Sequence, residues 1–427
     1  MNDSFDVVII GAGAAGLAAA RKLQSSGHRT LVVEAQDRVG GRIFTRRLPG
    51  STVPAELGAE FIHGSPEVTL ELLRQACIGV VDSGDVGVLF KDGRISPQED
   101  RYDRVHFLLS KVDKARPDQS VDEFLSQFAN EPALAAAVNT VRLYTQGFDA
   151  VDPADASIES ISEEWRRDAG IGAEAYRPLG GYGNLIRYLA ESLDPLRTSL
   201  MLDTVVRKIE WNERVRIHAL RYGEPFTVDA AAVIVTLPLA SLRNADVEFV
   251  PELPAKKRQA IELLAMGPVV KIVLQFDETF WHRDPALRDA AFIQSDETVF
   301  PTFWTMTPLR STLVTAWCGG ALTRVFDGLD REQRIQTAHN DLARIFGMKG
   351  DAMRRRVRSA WYHDWQSDRF FGGAYSYAKV GGTDARAHLA QAVGPLHFAG
   401  EACAMHGEGG TVAGALKSGE RAAREFA

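Results

Sequence analysis

The N-terminal segment constrains the fold more than any other part of the chain. It reads FDVVIIGAGAAGLAAARKLQSSGHRTLVVEA over residues 5–35. An unbroken apolar run at residues 7–10 predicts a buried strand, and Gly11, Gly13 and Gly16 follow it in a G-x-G-x-x-G arrangement. A predicted helix comes next, and a second apolar strand ends on Glu34. A strand, a glycine loop, a helix and a second strand in this order predict a Rossmann-like unit.

Each part of this unit has a role in binding a dinucleotide. Gly11 makes the tight turn, Gly13 lets a pyrophosphate approach the backbone, and Gly16 lets the helix pack on the strand. The helix N-terminus offers free N–H groups and a positive dipole end to the phosphates. Glu34 can accept hydrogen bonds from a ribose diol, with Ala15 and Ala35 predicted beside the same ligand. The segment predicts a dinucleotide site but does not distinguish NAD from FAD.

Composition excludes several classes of function. The chain has 427 residues, 45% hydrophobic and 25% charged, which is typical of a globular protein with two or three domains. A net charge of −7 argues against a nucleic-acid partner. Cys77, Cys318 and Cys403 show no metal-ligand spacing, so no metal is expected. The chain shows no signal-peptide pattern and no apolar run of about 18 residues. We therefore expect a cytoplasmic protein without a membrane span.

Further motifs select one family. RVGGRIFTRR at 38–47 and PAELGAEFIHG at 54–64 follow the acid, and YRPLGGYGNLIRYLA, LDTVVRKIEW and GPLHFAGEACAMHGEGGTVAGALKSGERAA come later in the chain. In these motifs the chain resembles the flavin-dependent amine oxidases, which include monoamine oxidases, polyamine oxidases and flavin-type histone lysine demethylases. The resemblance covers nearly the whole chain.

The resemblance implies a fold of α/β and α+β type with two domains. A discontinuous, Rossmann-like FAD-binding domain is expected from residues 1–80, 195–245 and 380–427. A second domain of mixed sheet and helices, which would bind the substrate, is expected from residues 81–194 and 246–379. Homodimers are common in the family, so a homodimer is one expected assembly.

The resemblance also implies FAD as the cofactor and assigns residues to it. Monoamine oxidases carry a cysteine bonded covalently to the flavin where this chain has Ala374, so FAD is expected to be non-covalent. Glu401 is expected near the ribityl and pyrophosphate parts, with a helix-capping role as the alternative. Thr411 and Val412 are expected at the helix start beside the flavin. The remaining residues expected to contact FAD are Gly41, Arg42, Gly58, Ala59, Val206 and Gly400.

A lysine interrupts the apolar stretch MGPVVKIVLQF at residues 266–276. In isolation, the pattern favours a strand with one solvated face, which would carry Lys271. In the family, the lysine at this place reaches the flavin N5 edge through a water molecule. The resemblance therefore implies a desolvated, catalytic Lys271. The run KKR at 256–258 favours a solvated helix face.

Three more residues are expected at the substrate. Tyr375 matches the first tyrosine of the monoamine oxidase cage, and the second falls at about Thr411, so the complete cage is absent. Trp365 is expected in the flavin pocket, with core packing as the alternative. His63 matches a substrate-side position of polyamine oxidases, where it would hydrogen-bond an amine or discriminate its protonation state near neutral pH, with a purely structural role as the alternative. Glu60 and Glu408 are candidates for extra negative charge or simply surface carboxylates.

The resemblance implies oxidation of a small primary or secondary amine, perhaps a diamine or polyamine, with O2 as co-substrate. The imine formed would hydrolyse, and H2O2 would be released. One alternative is an L-amino-acid oxidase of the same fold, which needs an arginine for the substrate carboxylate; Arg142 and Arg177 are the candidates. The others are a carotenoid- or porphyrinogen-type desaturase and a flavin-binding protein without turnover.

Overall fold

The computed structural model describes residues 5–84, 86–98, 101–166, 174–212 and 214–426. The helices in these ranges are numbered in chain order. They are α1 (Ala14–Ser25), α2 (Glu67–Gln75), α3 (Arg101–Leu109), α4 (Val121–Ser126), α5 (Ala135–Gly147), α6 (Ile158–Trp165), α7 (Gly183–Glu191), α8 (Leu239–Arg243), α9 (Ala255–Glu262), α10 (Arg331–Ile345), α11 (Gly350–Arg356), α12 (Ala385–Ala390) and α13 (Val412–Arg424).

The strands in the same ranges are numbered likewise. They are β1 (Phe5–Ile10), β2 (Thr30–Val33), β3 (Thr45–Arg46), β4 (Ala55–Glu56), β5 (Ile62–His63), β6 (Val80–Asp82), β7 (Gly87–Lys91), β8 (Arg94–Pro97), β9 (Ala175–Pro178), β10 (Thr198–Met201), β11 (Thr204–Trp211), β12 (Val215–Arg221), β13 (Glu224–Val235), β14 (Glu248–Val250), β15 (Leu264–Gly267), β16 (Val269–Phe276), β17 (Phe292–Gln294), β18 (Thr302–Thr305), β19 (Leu313–Gly319), β20 (Val357–Tyr362), β21 (Tyr375–Ala378) and β22 (Leu396–Phe398).

The first large sheet contains the N-terminal βαβ unit. Its order is β10-β2-β1-β13-β12-β11-β14, and β22 adds to β13. β1 lies between β2 and β13 and is parallel to both. Because both faces of such a strand are covered, residues 7–10 are all buried, as the apolar run predicts. Helices α1 and α13 cover one face of this sheet and pack against each other. Their backbones approach closely, since a Cβ on Gly419 would lie 2.1 Å from the Ala15 carbonyl oxygen.

The second large sheet has the order β20-β16-β19-β18-β17-β7-β8. β17 and β7 run parallel, whereas β16 pairs antiparallel with both β19 and β20. Every residue of β16 is buried, including Lys271. The strand with a solvated face is therefore wrong, because β16 is an inner strand covered on both sides. The structure has the predicted fold class, with a Rossmann-like sheet and a second mixed sheet.

The predicted helix over the KKR run is present as α9, but its solvated face is wrong at Lys257. This side chain is 3% exposed. Its ammonium donates to the carbonyl oxygens of Leu389 (2.8 Å) and Gln391 (2.5 Å). The contact satisfies carbonyls at the end of α12, where a helix dipole favours a cation. No helix within the described ranges is long and apolar enough to cross a bilayer.

Candidate active site

A cavity of about 910 Å³ is lined by residues of both large sheets and of the loops between them. All the predicted site residues except Gly16 line it. They are Gly11, Gly13, Ala15, Glu34, Ala35, Gly41, Arg42, Gly58, Ala59, His63, Val206, Lys271, Trp365, Tyr375, Gly400, Glu401, Thr411 and Val412.

The glycine loop leaves room at one position and none at another. Gly13 is the N-cap of α1 and supplies no side-chain acceptor to the first helical turn. A Cβ on Gly13 would have no neighbour closer than 4.0 Å, so the space above it is open. A Cβ on Gly16 would lie 1.9 Å from the Gly11 carbonyl oxygen, so helix and loop touch there. The open space beside free helical N–H groups fits a pyrophosphate.

Glu34 lies at the end of β2 and faces the glycine loop. Its Oε2 accepts from the Ala12 N–H (2.7 Å), and its Oε1 accepts from the Gln36 N–H (2.9 Å). Burial raises the pKa of Glu34, against the opposing effect of these backbone hydrogen bonds. Val206 lines the cavity where β11 has an irregular register between Val206 and Lys208. The carboxylate acceptor of Glu34 and the irregular strand beside it fit the adenosine part of a dinucleotide.

The buried carboxylate of Glu401 accepts hydrogen bonds from several groups. Its Oε1 accepts from Arg42 Nη1 (2.8 Å), and its Oε2 accepts from Ser376 Oγ (2.6 Å) and the Gly410 N–H (3.0 Å). Burial acts to raise the pKa of Glu401, but Arg42, Arg386 and these hydrogen bonds together lower it. The helix-capping alternative is wrong, because Thr411 Oγ1 caps α13 by accepting from the Gly414 N–H (2.9 Å).

Lys271 belongs to a buried ionic cluster. Its Nζ donates to Glu60 Oε2 (2.8 Å) and to the Gly58 carbonyl oxygen (3.0 Å). Glu60 Oε1 accepts from Arg177 Nε (2.9 Å) and from Trp304 Nε1 (3.0 Å). The surface interpretation of Glu60 is therefore wrong, since its side chain lies between two cations and is 4% exposed.

Trp365 is packed in the core and also lines the cavity, and its contact with a flavin stays a prediction. It is 3% exposed, lines the cavity, and donates from Nε1 to the Leu57 carbonyl oxygen (2.8 Å). Its ring also lies against the segment that carries Gly58, because a Cβ there would be 3.2 Å from Trp365 Cζ2. The tryptophan thus supports the chain that holds the Lys271 acceptor.

Aromatic residues form the walls of the cavity near Lys271. Tyr375 donates its hydroxyl to the Phe148 carbonyl oxygen (2.5 Å), and the Phe148 ring lies 5.2 Å from the His63 ring. Trp304 and Trp317 complete the aromatic group, with their rings 5.6 Å apart. Burial lowers the pKa of His63 to about 4. The expected titration of His63 near neutral pH is therefore wrong, and the imidazole is neutral at pH 7.

Asp149 and Glu164 are two of the cavity carboxyl residues that the sequence motifs do not indicate. Asp149 accepts a hydrogen bond from Trp165 Nε1 (2.8 Å), and Glu164 lies 3.8 Å from Arg386. Burial and the neighbouring Glu164 raise the pKa of Asp149 well above its ordinary value. Burial also raises the pKa of Glu164 to about 7, against the opposing charge of Arg386. Neither residue belongs to a motif, and both lie in segments with other acidic residues, so no local signal distinguishes them.

A Rossmann-like sheet with an open glycine loop, joined by one cavity to an aromatic site containing a buried lysine, defines a dinucleotide-dependent oxidoreductase. The sequence model of the family described as flavin containing amine oxidoreductase matches residues 14–426. The chain belongs to this family of amine-oxidising enzymes, and FAD is its cofactor.

Individual relatives share the whole length of this chain. Polyamine oxidase 2 of Arabidopsis thaliana is 29% identical, over 98% of this chain and 87% of the relative. Lysine-specific histone demethylase 2 of Homo sapiens is 30% identical, over 99% of this chain and 53% of its own length. This chain therefore spans about half the length of that demethylase.

Solved structures show the same fold. A double mutant of putrescine oxidase has a TM-score of 0.83 at 22% identity, with 99% of each chain covered. Cyclohexylamine oxidase from Brevibacterium oxydans IH-35A has a TM-score of 0.82 at 22% identity, with 99% of this chain and 98% of the other covered.

Proposed function

We propose that the chain oxidises small primary or secondary amines, diamines and polyamines among them. The C–H bond beside nitrogen is broken, the imine formed is hydrolysed to an aldehyde and an amine or ammonia, and O2 is reduced to H2O2. Bound FAD would supply the hydride acceptor and return the electrons to O2. The chain itself would orient the amine and exclude water.

The charge of the cavity wall carries this proposal. Among the described residues, four lysine or arginine side chains line the cavity. Two of them are paired with a carboxylate, and the other two are exposed to solvent. Arg42 pairs with Glu401 and Lys271 pairs with Glu60. Arg207 and Arg369 are exposed. Asp149 and Glu164 add half-buried carboxyl groups to the cavity wall and no cation, so the site favours a cationic or neutral amine over an anion.

The same geometry disfavours the amino-acid oxidase. Arg177 is 4% exposed and bound to Glu60, and its Nη2 donates to the Thr305 carbonyl oxygen (3.2 Å). Arg142 pairs with Asp122 at 2.9 Å and is not among the residues that line the cavity. Neither candidate arginine is placed to bind a substrate carboxylate.

The residues proposed to hold FAD follow from the contacts of the cavity. The glycine loop and the start of α1 would bind the pyrophosphate, Glu34 the ribose, and Arg42, Glu401 and the start of α13 the flavin end. With Ala374 in place of a thiol, FAD would be held non-covalently. The domain boundaries, the cytoplasmic location and the homodimer stay predictions.

Production of H2O2 from a panel of compounds tests the proposal. The FAD-loaded protein is mixed in air with monoamines, 1,4-diaminobutane, longer polyamines and amino acids, and peroxide and aldehyde are measured together. Equal amounts of peroxide and aldehyde from particular amines are expected. Peroxide from amino acids alone would favour the amino-acid oxidase, and no peroxide from any compound would contradict oxidation with O2.

A further inference from the structure

Glu60 is held from three sides inside the protein. Arg177 and Trp304 donate to its Oε1, and Lys271 donates to its Oε2. Its side chain and those of Arg177 and Lys271 are each 3–4% exposed. A carboxylate in this position accepts three charge-assisted or indole hydrogen bonds and has no freedom to turn towards another partner.

The partners of Glu60 are also fixed. Arg177 donates to the carbonyl oxygens of Thr305 (3.2 Å) and Thr307 (3.4 Å), and its guanidinium lies 4.5 Å from the Phe61 ring centroid. Lys271 uses a second donor on the Gly58 carbonyl oxygen. An ammonium has three donors, so one remains for the cavity that Lys271 lines. Glu60 and Gly58 together set the direction of that third N–H.

The cluster contains two cations, Arg177 and Lys271, and only one carboxylate, Glu60. Burial acts to raise the pKa of Glu60, but Lys271 and Arg177 lower it, so the carboxylate is ionised at neutral pH. The other described carboxyl that acts on this cluster is Glu56, which accepts from Thr45 Oγ1 (2.7 Å) and the Tyr182 N–H (2.6 Å). Trp304 and Trp317 face Lys271 with uncharged rings. Without Glu60, two buried cations would share the site without their bridging carboxylate.

We propose that Glu60 is the positioning residue for Lys271, which it orients towards the flavin part of the cavity and keeps in its charged form. This inference rests on the proposed function only in placing the flavin beside Lys271. A desolvated lysine that loses its counter-ion gives up its proton more readily. If Glu60 has this role, its replacement should narrow the pH range over which the enzyme behaves as if Lys271 were charged.

The test measures how fast reduced enzyme reacts with O2 as pH is varied. FAD-loaded protein is reduced under nitrogen by a stoichiometric amount of dithionite, so no amine is needed and failure of the proposed substrate class leaves the test intact. The compared variants are Glu60→Gln, Lys271→Met, and Glu56→Gln, which makes the same change at the carboxyl bonded to Thr45 and Tyr182. The midpoint potential of bound FAD is measured on the same samples at the same pH values.

A flat rate from about pH 6 to about pH 9 is expected for the unmodified protein and for Glu56→Gln. Glu60→Gln should be near the unmodified rate at low pH and fall through a single ionisation towards the Lys271→Met rate. Once the ionisation is complete, the Glu60→Gln rate should equal the Lys271→Met rate, because an uncharged lysine no longer supplies its positive charge. The potential of Glu60→Gln relative to the unmodified protein should change through the same ionisation.

A double variant separates charge from structure. Arginine does not lose its proton in this range, so Glu60→Gln combined with Lys271→Arg should have a flat profile again. A Glu60→Gln profile parallel to that of the unmodified protein would overturn the proposal, as would a sloping profile in the double variant. If Glu60→Gln does not fold, Glu60→Asp keeps the charge but withdraws it from Lys271. A uniformly lowered rate at all pH values is then expected, and an unchanged rate would refute the positioning role.

Discussion

Replacing Gly13 and Gly16 in turn should separate cofactor binding from folding. A Cβ on Gly13 meets nothing closer than 4.0 Å, and Gly13 has an extended backbone (φ −77°, ψ −174°) that alanine adopts without strain. Gly13→Ala should therefore leave the apoprotein as stable as before, or more stable by about 0.4–1 kcal/mol through the unfolded state. Its methyl group, however, fills the space where a pyrophosphate must approach the helix.

The same substitution at Gly16 has the opposite effect. Its Cβ would lie 1.9 Å from the Gly11 carbonyl oxygen, a contact that only a backbone shift can relieve. Gly16→Ala should cost about 1–3 kcal/mol of apoprotein stability. Gly13→Ala should instead weaken FAD binding at least tenfold, which is about 1.4 kcal/mol.

Urea unfolding of the apoproteins and FAD titration followed by fluorescence measure the two effects separately. The Gly16→Ala apoprotein is the matched control, because it carries the same methyl group three residues away. Gly13→Ala with unchanged FAD affinity would refute the assignment of this loop to the pyrophosphate. Gly16→Ala with unchanged stability would refute the close helix–loop contact.

Three further predictions concern titration and the cofactor. The pKa of His63 is about 4 in the folded protein and about 6.5 in the unfolded chain, so the unfolded chain takes up a proton at a higher pH than the folded protein does. Stability is therefore lost as pH falls from about 6.5 to about 4. His63→Asn should remove up to about 3 kcal/mol of that loss, measured by urea unfolding against pH, and an unchanged slope would contradict the burial argument. The raised pKa of Glu164, about 7, has the opposite sign: the folded state holds its proton longer, so stability falls as pH rises from about 4.5 to about 7. Glu164→Gln should be more stable than the unmodified protein by up to about 3 kcal/mol above pH 7 and equal to it near pH 4, whereas a constant difference would count against the shift. Acid precipitation should release all FAD into the supernatant, since Ala374 offers no thiol; flavin that stays with the pellet would show a covalent link.

The sequence was sufficient for the elements whose signals are local. The βαβ unit, the strand of Lys271 and the final helix all lie where periodicity and glycine spacing predict them. The residues that the family resemblance assigned to the site line one cavity, with the exception of Gly16. They could be assigned from the sequence because each of them lies in a recognisable motif. The role of Gly16 in helix packing was the one predicted from the glycine spacing.

The errors concern partners that are distant in the chain. Glu60 and Lys271 are 211 residues apart, and Lys257 contacts carbonyls more than 130 residues further on. A local pattern cannot show that a charged side chain will meet its partner after folding, so Lys257 was assigned to the surface and a surface position stayed open for Glu60. The same limit hid Asp149 and Glu164, whose pKa values are raised mainly by burial, with a further contribution from Glu164 at Asp149 and from Glu163 and Glu401 at Glu164.

The measurement that tests the central claim most directly is anaerobic reduction of the bound FAD by matched pairs of compounds. Each pair consists of an amine and the amino acid that differs from it only by an α-carboxylate, such as 1,4-diaminobutane and ornithine or 2-phenylethylamine and phenylalanine. Arg177, Arg42 and Lys271 are each paired with a carboxylate, so no buried cation of the described cavity wall is left to bind the substrate carboxylate, and the amino acids should be rejected. We predict that the visible flavin absorbance is lost with one or more of the amines and is retained with the corresponding amino acids. Loss of absorbance with the amino acids alone, or with no compound, would contradict the account.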